Sequence, residues 1–361
     1  MGMARVPTPA VAVTLLLSVG DVVLAQASPA PARAEDQRLL PYAEPGQLVD
    51  IGGRRINLLC RGAGSPTVIL MAGSSSWSFV WHLTQPEIAK RARVCAFDRA
   101  GFGFSDPAPH PPVMSDTVND LHAALKSADV PGPYVLVGHS LGGLEARVFA
   151  QRWPQETAGM VLLDTSPAAE PLIEVNLPGF DEAEPFERWF SGMLKCAQLA
   201  AHGPLDPSNP EYKHCSLGPL PDGTPDAFRK VWPTFFTADY WVARVCEFSS
   251  LWTHRYDSAD HLQLGDKPLV VLSADDSFGL SPGPTKTFWQ NYRKQWFAQH
   301  EALAHLSSRG AHRVIEHSGH EIQLEKPQAV VDAVDEVLRE LQTGLNKLTR
   351  SEMYPHGRTA A

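Results

Sequence analysis

Several features that would narrow the function are scarce in this sequence. Five cysteines in 361 residues are few for a disulfide scaffold. No C-x-x-C pair and no two histidines at His-x-x-x-His spacing indicate zinc, so we predict no metal. The net charge of −9 argues against nucleic acid and anionic membranes as partners. After the N-terminal segment, no apolar run is long enough to span a bilayer.

The bulk composition is that of a globular protein. Hydrophobic residues make up 43% of the 361 residues, which is enough for a large core. This length fits one domain with an insertion better than two independent domains.

The N-terminus has the pattern of an export signal. Arg5 precedes the apolar segment Ala10–Gly20, and small residues at 23–25 and 25–27 offer cleavage sites. We therefore predict a signal peptide over residues 1–27 and a secreted or periplasmic protein. Residues 28–46 follow as a linker rich in proline and alanine.

A G-x-S-x-G motif lies between an apolar stretch and a helix-like stretch. Val135–Val137 runs into Gly138-His-Ser140-Leu-Gly142, and Leu144–Trp153 follows. This context is typical of a nucleophile elbow, a strand-to-helix turn so tight that its neighbours must lack bulk. The helix N-terminus also favours developing negative charge. Ser140 is therefore the candidate nucleophile.

Apolar segments alternate with helical patterns along most of the chain. Such alternation predicts a mainly parallel sheet covered by helices on both faces. The predicted strands are Leu48–Ile51, Arg55–Cys60, Thr67–Met71, Arg93–Phe97, Tyr134–Val137, Gly159–Leu163, Pro268–Leu272 and Arg313–Glu316, and the predicted helices are Phe79–Lys90, Met114–Ala128, Leu144–Trp153 and Gln328–Leu341.

One long stretch breaks the alternation. Residues 166–262 are rich in proline and aromatic residues, so we predict that they form a cap inserted into a core of residues 47–165 and 263–342. Aromatic residues there, such as Trp189 and Phe236, favour an apolar ligand at the cap. The polar tail, residues 343–361, is predicted to be mobile.

Four segments together resemble the α/β-hydrolase fold family. They are Met71-Ala-Gly-Ser-Ser75, Asp98-Arg-Ala-Gly-Phe-Gly-Phe-Ser105, Gly138-His-Ser-Leu-Gly-Gly143 and Ser318-Gly-His320, in the family's order. The resemblance covers residues 48 to 342. It implies an α/β fold with a mostly parallel eight-stranded sheet flanked by helices and an inserted helical cap.

The resemblance also assigns two further features. In that fold the second and fourth strands are neighbours, which implies a disulfide between Cys60 and Cys95. His320 matches the position of the family's general base, because it follows the last strand and the chain order is serine, acid, histidine.

The acid partner of the histidine has two candidate positions. Asp164 ends the strand after the elbow, and the chain there returns to the edge of the sheet where active sites of open α/β sheets lie. Asp275 and Asp276 follow the Pro268 strand, where many family members carry the acid, but the register there is imperfect. We favour Asp164 and keep Asp276 as the alternative.

An oxyanion formed at the serine needs two hydrogen-bond donors. The first is expected to be the backbone N–H of Leu141, the residue after the nucleophile. By position in the family, the second is the backbone N–H of Ser74.

Together these residues favour a serine hydrolase that cleaves a carboxylic ester or lactone of an apolar small molecule through an acyl-enzyme, without a cofactor. A peptidase or amidase of the same fold is an alternative, and it would need acidic groups in the cap to hold an amine. A lyase or carbon–carbon bond-cleaving enzyme could use the same triad. A non-catalytic ligand-binding protein is the remaining class. The oligomeric state is not specified by the sequence.

Overall fold

Eight strands form one mostly parallel sheet in the computed structural model. The structure describes residues 35–168, 185–203, 205, 212, 215, 220–253, 256–276 and 286–353. The strands are β1 (Gln47–Asp50), β2 (Arg55–Arg61), β3 (Thr67–Met71), β4 (Val94–Phe97), β5 (Tyr134–His139), β6 (Thr157–Leu163), β7 (Leu269–Ala274) and β8 (Gly310–Ile315).

The strand order is β1-β2-β4-β3-β5-β6-β7-β8. Strand β2 runs antiparallel to β1 and β4, and the pairs from β4 to β8 are parallel. The fold class predicted from the sequence is therefore confirmed. Parallel strands place their carboxyl ends at one edge of the sheet, which is where the segments after β3, β5, β6 and β8 meet.

Nine α-helices are assigned within the described residues. Two of them, Pro185–Ala200 and Ala238–Thr253, lie between β6 and β7 in the chain and pack against each other. They are α1 (Gln85–Ile88), α2 (Met114–Ser127), α3 (Leu141–Arg152), α4 (Pro185–Ala200), α5 (Asp226–Val231), α6 (Ala238–Thr253), α7 (Lys286–Ala304), α8 (Ile322–Glu325) and α9 (Pro327–Met353). Short 3-10 helices add Gln37–Tyr42, Ser78–Trp81, Trp232–Phe235 and Asp257–His261.

Both faces of the sheet are covered, and each strand from β3 to β7 contributes to two apolar layers. In β3, Ile69 and Met71 pack in the layer that includes α2 and α3, whereas Val68 and Leu70 pack in the layer that includes α9. Alternate side chains of a strand point to opposite faces, so a strand that is buried throughout reads as an unbroken apolar run. All five residues of β3 are buried for this reason.

Two disulfides are present among the described residues. Cys60 on β2 and Cys95 on β4 lie opposite each other in the antiparallel pair and are bonded, which confirms the predicted pairing. Cys196 of α4 is bonded to Cys215. Cys246 is the free cysteine.

The chain segments that leave β6 and return to β7 are joined at one buried side chain. Arg147 of α3 donates to the carbonyl of Ser166 (2.7 Å) and to Oδ1 of Asp260 (2.9 Å). The second carboxylate oxygen of Asp260 accepts from the backbone N–H of Ala168 (2.8 Å). One guanidinium therefore fixes both connections of the predicted insertion to the core.

Two predicted helices differ from the structure. The predicted helix Phe79–Lys90 is two short pieces, Ser78–Trp81 and Gln85–Ile88, because Pro86 cannot continue a helix from the preceding turn and instead starts a new one. The closing helix α9 runs to Met353, so the part of the predicted mobile tail up to that residue is helical.

The predicted signal peptide and the first part of the linker lie outside the described residues. No helix within the described part of the chain is long and apolar enough to cross a membrane.

Candidate active site

Ser140 occupies a strained turn between β5 and α3. Its φ is +51° and its ψ is −121°, a conformation that costs a non-glycine residue roughly 1–3 kcal/mol. Two glycines make the turn sterically possible. A Cβ on Gly138 would overlap the carbonyl of Gly142, and a Cβ on Gly142 would overlap the carbonyl of Met71. The turn therefore brings the start of α3 into close contact with the end of β3.

His320 and Asp164 form a direct hydrogen bond. The distance from Nδ1 of His320 to Oδ2 of Asp164 is 2.7 Å. Asp164 is fully buried, whereas 27% of the His320 side chain is exposed. Because a carboxylate only accepts hydrogen bonds, this contact assigns the proton of a neutral imidazole to Nδ1 and leaves Nε2 as an acceptor.

Besides the contact with the histidine, three hydrogen bonds to two elements, β7 and α7, orient Asp164. Its other oxygen, Oδ1, accepts from the backbone N–H of Ala274 (3.1 Å) and from the indole N–H of Trp296 on α7 (3.0 Å). Its own backbone N–H donates to Leu272 on β7 (2.7 Å), and its φ is +40°. These contacts hold the carboxylate toward His320.

The alternative acids have other partners. Asp275 accepts from the backbone N–H groups of His317 (2.8 Å) and Ser318 (3.0 Å), and these bonds hold the pKa of Asp275 below its ordinary value. The backbone N–H of Asp276 donates to the carbonyl of Ser318 (3.0 Å). Asp275 thus fixes the loop that carries His320, while Asp164 is the carboxylate that is bonded to the imidazole.

The loop after β3 lies beside the elbow. A Cβ on Gly73 would be 3.3 Å from Cβ of Ser140 and 2.6 Å from Nδ1 of His139, so the backbone of Gly73 lies close to the side chains of the elbow. Ser74 follows directly. Leu141 opens α3, and the first N–H groups of a helix have no intrahelical acceptor. Both predicted oxyanion donors therefore belong to segments adjoining Ser140.

His139 supports the loop that carries His320. Its Nε2 is 2.9 Å from the backbone carbonyl of His320, and the two rings are 4.6 Å apart. Burial lowers the pKa of His139, so the neutral ring donates through Nε2. The sequence places His139 in the elbow but does not indicate its partner.

A second buried histidine lies behind Asp164. His300 of α7 donates from Nε2 to the carbonyl of Thr165 (2.8 Å), and its Nδ1 is 2.6 Å from Oγ of Ser273. Burial lowers the pKa of His300 to about 4. The sequence of α7 does not indicate this role, because Trp296 and His300 are spaced like ordinary buried residues on one face of a helix.

Arg99 joins the segments around the elbow. It makes a two-pronged ion pair with Glu145 of α3, at 2.8 and 2.9 Å, and lies 3.5 Å from Glu247 of α6. Burial raises the pKa of both Glu145 and Glu247, and the guanidinium opposes that shift. Glu247 is an acid from the predicted cap that the sequence analysis missed, since nothing near it in the sequence points to the elbow.

Comparison with known proteins gives one family. A model of the alpha/beta hydrolase family matches residues 58–333. A 2-hydroxymuconate semialdehyde hydrolase from Pseudomonas sp. (strain CF600) is 30% identical over 161 residues, covering 44% of this chain and 55% of that protein. This chain covers 28–55% of the length of the first four curated relatives, so it matches only part of each.

Solved structures agree on the fold. An esterase from Thermogutta terrifontis superposes with a TM-score of 0.55 at 21% identity, covering 82% of this chain and 99% of that one. A putative lipase from Acinetobacter baumannii gives a TM-score of 0.59 at 16% identity, covering 85% and 95%. The match to the family model extends over most of the chain, and the sheet has the corresponding architecture. The chain therefore belongs to the alpha/beta hydrolase family.

Proposed function

We propose that this protein is a serine hydrolase that cleaves carboxylic esters or lactones of apolar small molecules. The observation that carries the proposal is the 2.7 Å contact between His320 Nδ1 and the buried carboxylate of Asp164, at the sheet edge that also presents Ser140. A carboxylate that binds Nδ1–H of an imidazole, and so makes Nε2 the proton acceptor, is the arrangement that activates a serine hydroxyl.

In the proposed mechanism, Oγ of Ser140 attacks the substrate carbonyl while Nε2 of His320 accepts the hydroxyl proton. The tetrahedral oxyanion accepts hydrogen bonds from the N–H groups of Leu141 and Ser74. Collapse breaks the bond to the alcohol, which takes the proton from His320. Water then attacks the acyl-enzyme with His320 as base, and release of the carboxylic acid restores Ser140.

The surroundings of the site favour an apolar ligand. Trp77, which follows the loop after β3, packs against Phe235 and Tyr240 with ring centroids 4.9 and 6.1 Å apart. These side chains belong to a buried aromatic cluster that joins the region between β6 and β7 to the core. We infer that residues 166–262 act as the cap. We also infer that the side chains where the cap meets the core limit the size of the acyl or alcohol group that binds.

Export of the protein forms part of the same proposal. The disulfides Cys60–Cys95 and Cys196–Cys215 are compatible with an oxidising compartment, as the predicted signal peptide requires.

The test is turnover of p-nitrophenyl esters of increasing acyl length, together with a lactone and 2-hydroxymuconate semialdehyde. Ser140→Ala is expected to reduce ester turnover at least about 10³-fold and to abolish labelling by a fluorophosphonate. Ser307→Ala is the matched control, because this serine bonds the carbonyl of Lys267 ahead of β7, at the opposite edge of the sheet.

Each outcome separates the candidate functions. Ester turnover that depends on Ser140 supports the proposal, and its chain-length optimum measures the pocket. Turnover of the semialdehyde alone would replace ester hydrolysis with the activity named for the relative. A wild-type protein that turns over nothing and resists the phosphonate would contradict a serine hydrolase.

A further inference from the structure

A carboxylate from α6 reaches the loop that carries the proposed second oxyanion donor. Oε2 of Glu247 accepts from the backbone N–H of Ser75 (2.8 Å) and from the hydroxyl of Ser74 (2.9 Å). The Glu247 side chain is 8% exposed. These bonds join residues more than 170 positions apart in the chain, so they depend on how the region between β6 and β7 sits on the core.

Arg99 holds the same loop through its carbonyl groups. The guanidinium donates to the carbonyls of Gly73 (3.0 Å) and Ser76 (3.1 Å), and also to that of Ala72. The backbone N–H of Ser76 donates to the same Gly73 carbonyl (3.3 Å). The carbonyls of Ala72, Gly73 and Ser76 therefore point toward Arg99.

Two consecutive peptide groups are fixed in this way. In a trans peptide the carbonyl and the N–H point in opposite directions. Because the Gly73 carbonyl points to Arg99, the N–H of Ser74 points away from it. The next peptide is fixed through its N–H, which Ser75 donates to Glu247. Ser75 has a φ of +64°, a left-handed conformation that a non-glycine residue keeps only when its surroundings enforce it.

We infer that Glu247 is a positioning residue that keeps the N–H of Ser74 aimed at the oxyanion. Arg99 holds the peptide that carries this N–H, on one side of Ser74. The carboxylate of Glu247 holds the hydroxyl of Ser74 and the following peptide, between Ser74 and Ser75, so that Ser74 is fixed on both sides. Tyr240, on the same helix, assists by donating to the carbonyl of Ser75 (3.1 Å). This inference rests on the proposed serine hydrolase function, and it makes α6 a structural part of the oxyanion site.

The charges around Glu247 favour this role over binding of a substrate amine. One of its oxygens is bound by the two serines, and the other lies 3.5 Å from Arg99. A charged acceptor makes stronger hydrogen bonds to N–H and O–H groups than a neutral one does. The carboxylate is thus committed to the loop, and an amine would have to displace those bonds.

The test compares Glu247→Leu and Glu247→Gln with Ser250→Ala. Leucine removes both acceptors, whereas the glutamine carbonyl can still accept from Ser75. Ser250 is a matched control: it lies on α6, is 2% exposed, and bonds the backbone N–H of Met114 (3.2 Å) rather than the loop. The measurements are kcat and KM on the best p-nitrophenyl ester and the inhibition constant of an alkyl boronic acid, which forms a tetrahedral adduct with a reactive serine.

We expect Glu247→Leu to reduce kcat about 100-fold, as the loss of one oxyanion donor does, with KM changed less than threefold. The inhibition constant of the boronic acid is expected to rise in proportion. Glu247→Gln is expected to lower kcat only about tenfold, and Ser250→Ala is expected to keep kcat within twofold of wild type. A purely structural role would reduce the amount of folded enzyme without this separation of kcat from KM.

Should Glu247→Leu fail to fold, Glu247→Gln and Tyr240→Phe decide the question, because each is expected to lower kcat three- to tenfold at unchanged KM. Wild-type kcat in both folded variants would overturn the inference, as would an equal loss in Ser250→Ala. If wild-type protein shows neither ester turnover nor phosphonate labelling, the proposed function itself fails, and the positioning role falls with it.

Discussion

Asp164 and Asp275 follow neighbouring strands, β6 and β7, and the two carboxylates differ in what they contact. Asp164 is fully buried and bonds side chains, His320 and Trp296, from two later elements. Asp275 is partly exposed, and its bonds to described residues are with backbone N–H groups of the loop before His320. A place at the carboxyl edge of a parallel sheet is therefore not enough to define a catalytic acid. We propose the catalytic role for Asp164 because its carboxylate faces the imidazole of His320.

The largest expected effect distinguishes the two aspartates. Asp164→Asn is expected to lower kcat about 10³- to 10⁴-fold, because the amide stabilises the wrong tautomer of His320 and cannot stabilise the imidazolium. Asp275→Asn, the matched substitution, is expected to cost less than about tenfold, since it only loosens the His320 loop. Steady-state kinetics on one p-nitrophenyl ester measures both. Equal losses in the two variants would contradict the assignment of Asp164.

A smaller effect tests the support of Asp164. Trp296→Phe keeps the ring and removes the indole N–H that donates to Oδ1 (3.0 Å). Hydrogen bonds to charged groups contribute about 1.5–3 kcal/mol, so we expect kcat to fall about tenfold.

The same substitution is expected to have little further effect in Asp164→Asn, because residues that act through one group are not additive. Trp153→Phe, at the far end of α3, is the control. Additive losses from Trp296→Phe and Asp164→Asn would show that Trp296 acts elsewhere.

The smallest effect concerns stability. Burial lowers the pKa of His300 from 6.5 to about 4 in the folded protein. As the pH falls, His300 is therefore protonated in the unfolded chain before it is protonated in the folded protein. The stability from neutral His300 is fully present above pH 6.5 and is lost as the pH falls toward 4. Between pH 7.5 and 5 the loss is about 2 kcal/mol.

Urea denaturation of wild type, His300→Gln and the exposed His110→Gln at both pH values measures the contribution of His300 to the free energy of unfolding. The drop in unfolding free energy is expected to be smaller in His300→Gln by about that amount. An unchanged drop in His300→Gln would mean that the buried ring is not the group that titrates.

The parts of the molecule that local patterns specify were predicted from the sequence. Buried strands such as β3 read as apolar runs, and the glycines of the elbow are required by sterics. The pairing of Cys60 with Cys95 followed from the family resemblance, because it depends on strand order. Asp164 was favoured because the chain returns to the active edge after β6.

Other features depend on contacts that no local pattern records. Glu247 reaches Ser75 only through the packing of α6, and Trp296 reaches Asp164 only through α7. The end of α9 was predicted wrongly: a polar tail was expected to follow Leu341, and the helix nevertheless continues to Met353.

The joint at Arg147 has a consequence for how this fold can vary. The chain departs after β6 and comes back before β7 at one guanidinium, which holds Ser166 and Asp260 together. The chain between those two residues is therefore a single insertion whose two ends are held at fixed positions on the core. Changes in sequence or length in between that keep Glu247 and Tyr240 of α6 in place are therefore expected to alter the cap while the sheet and the loop after β3 keep their geometry.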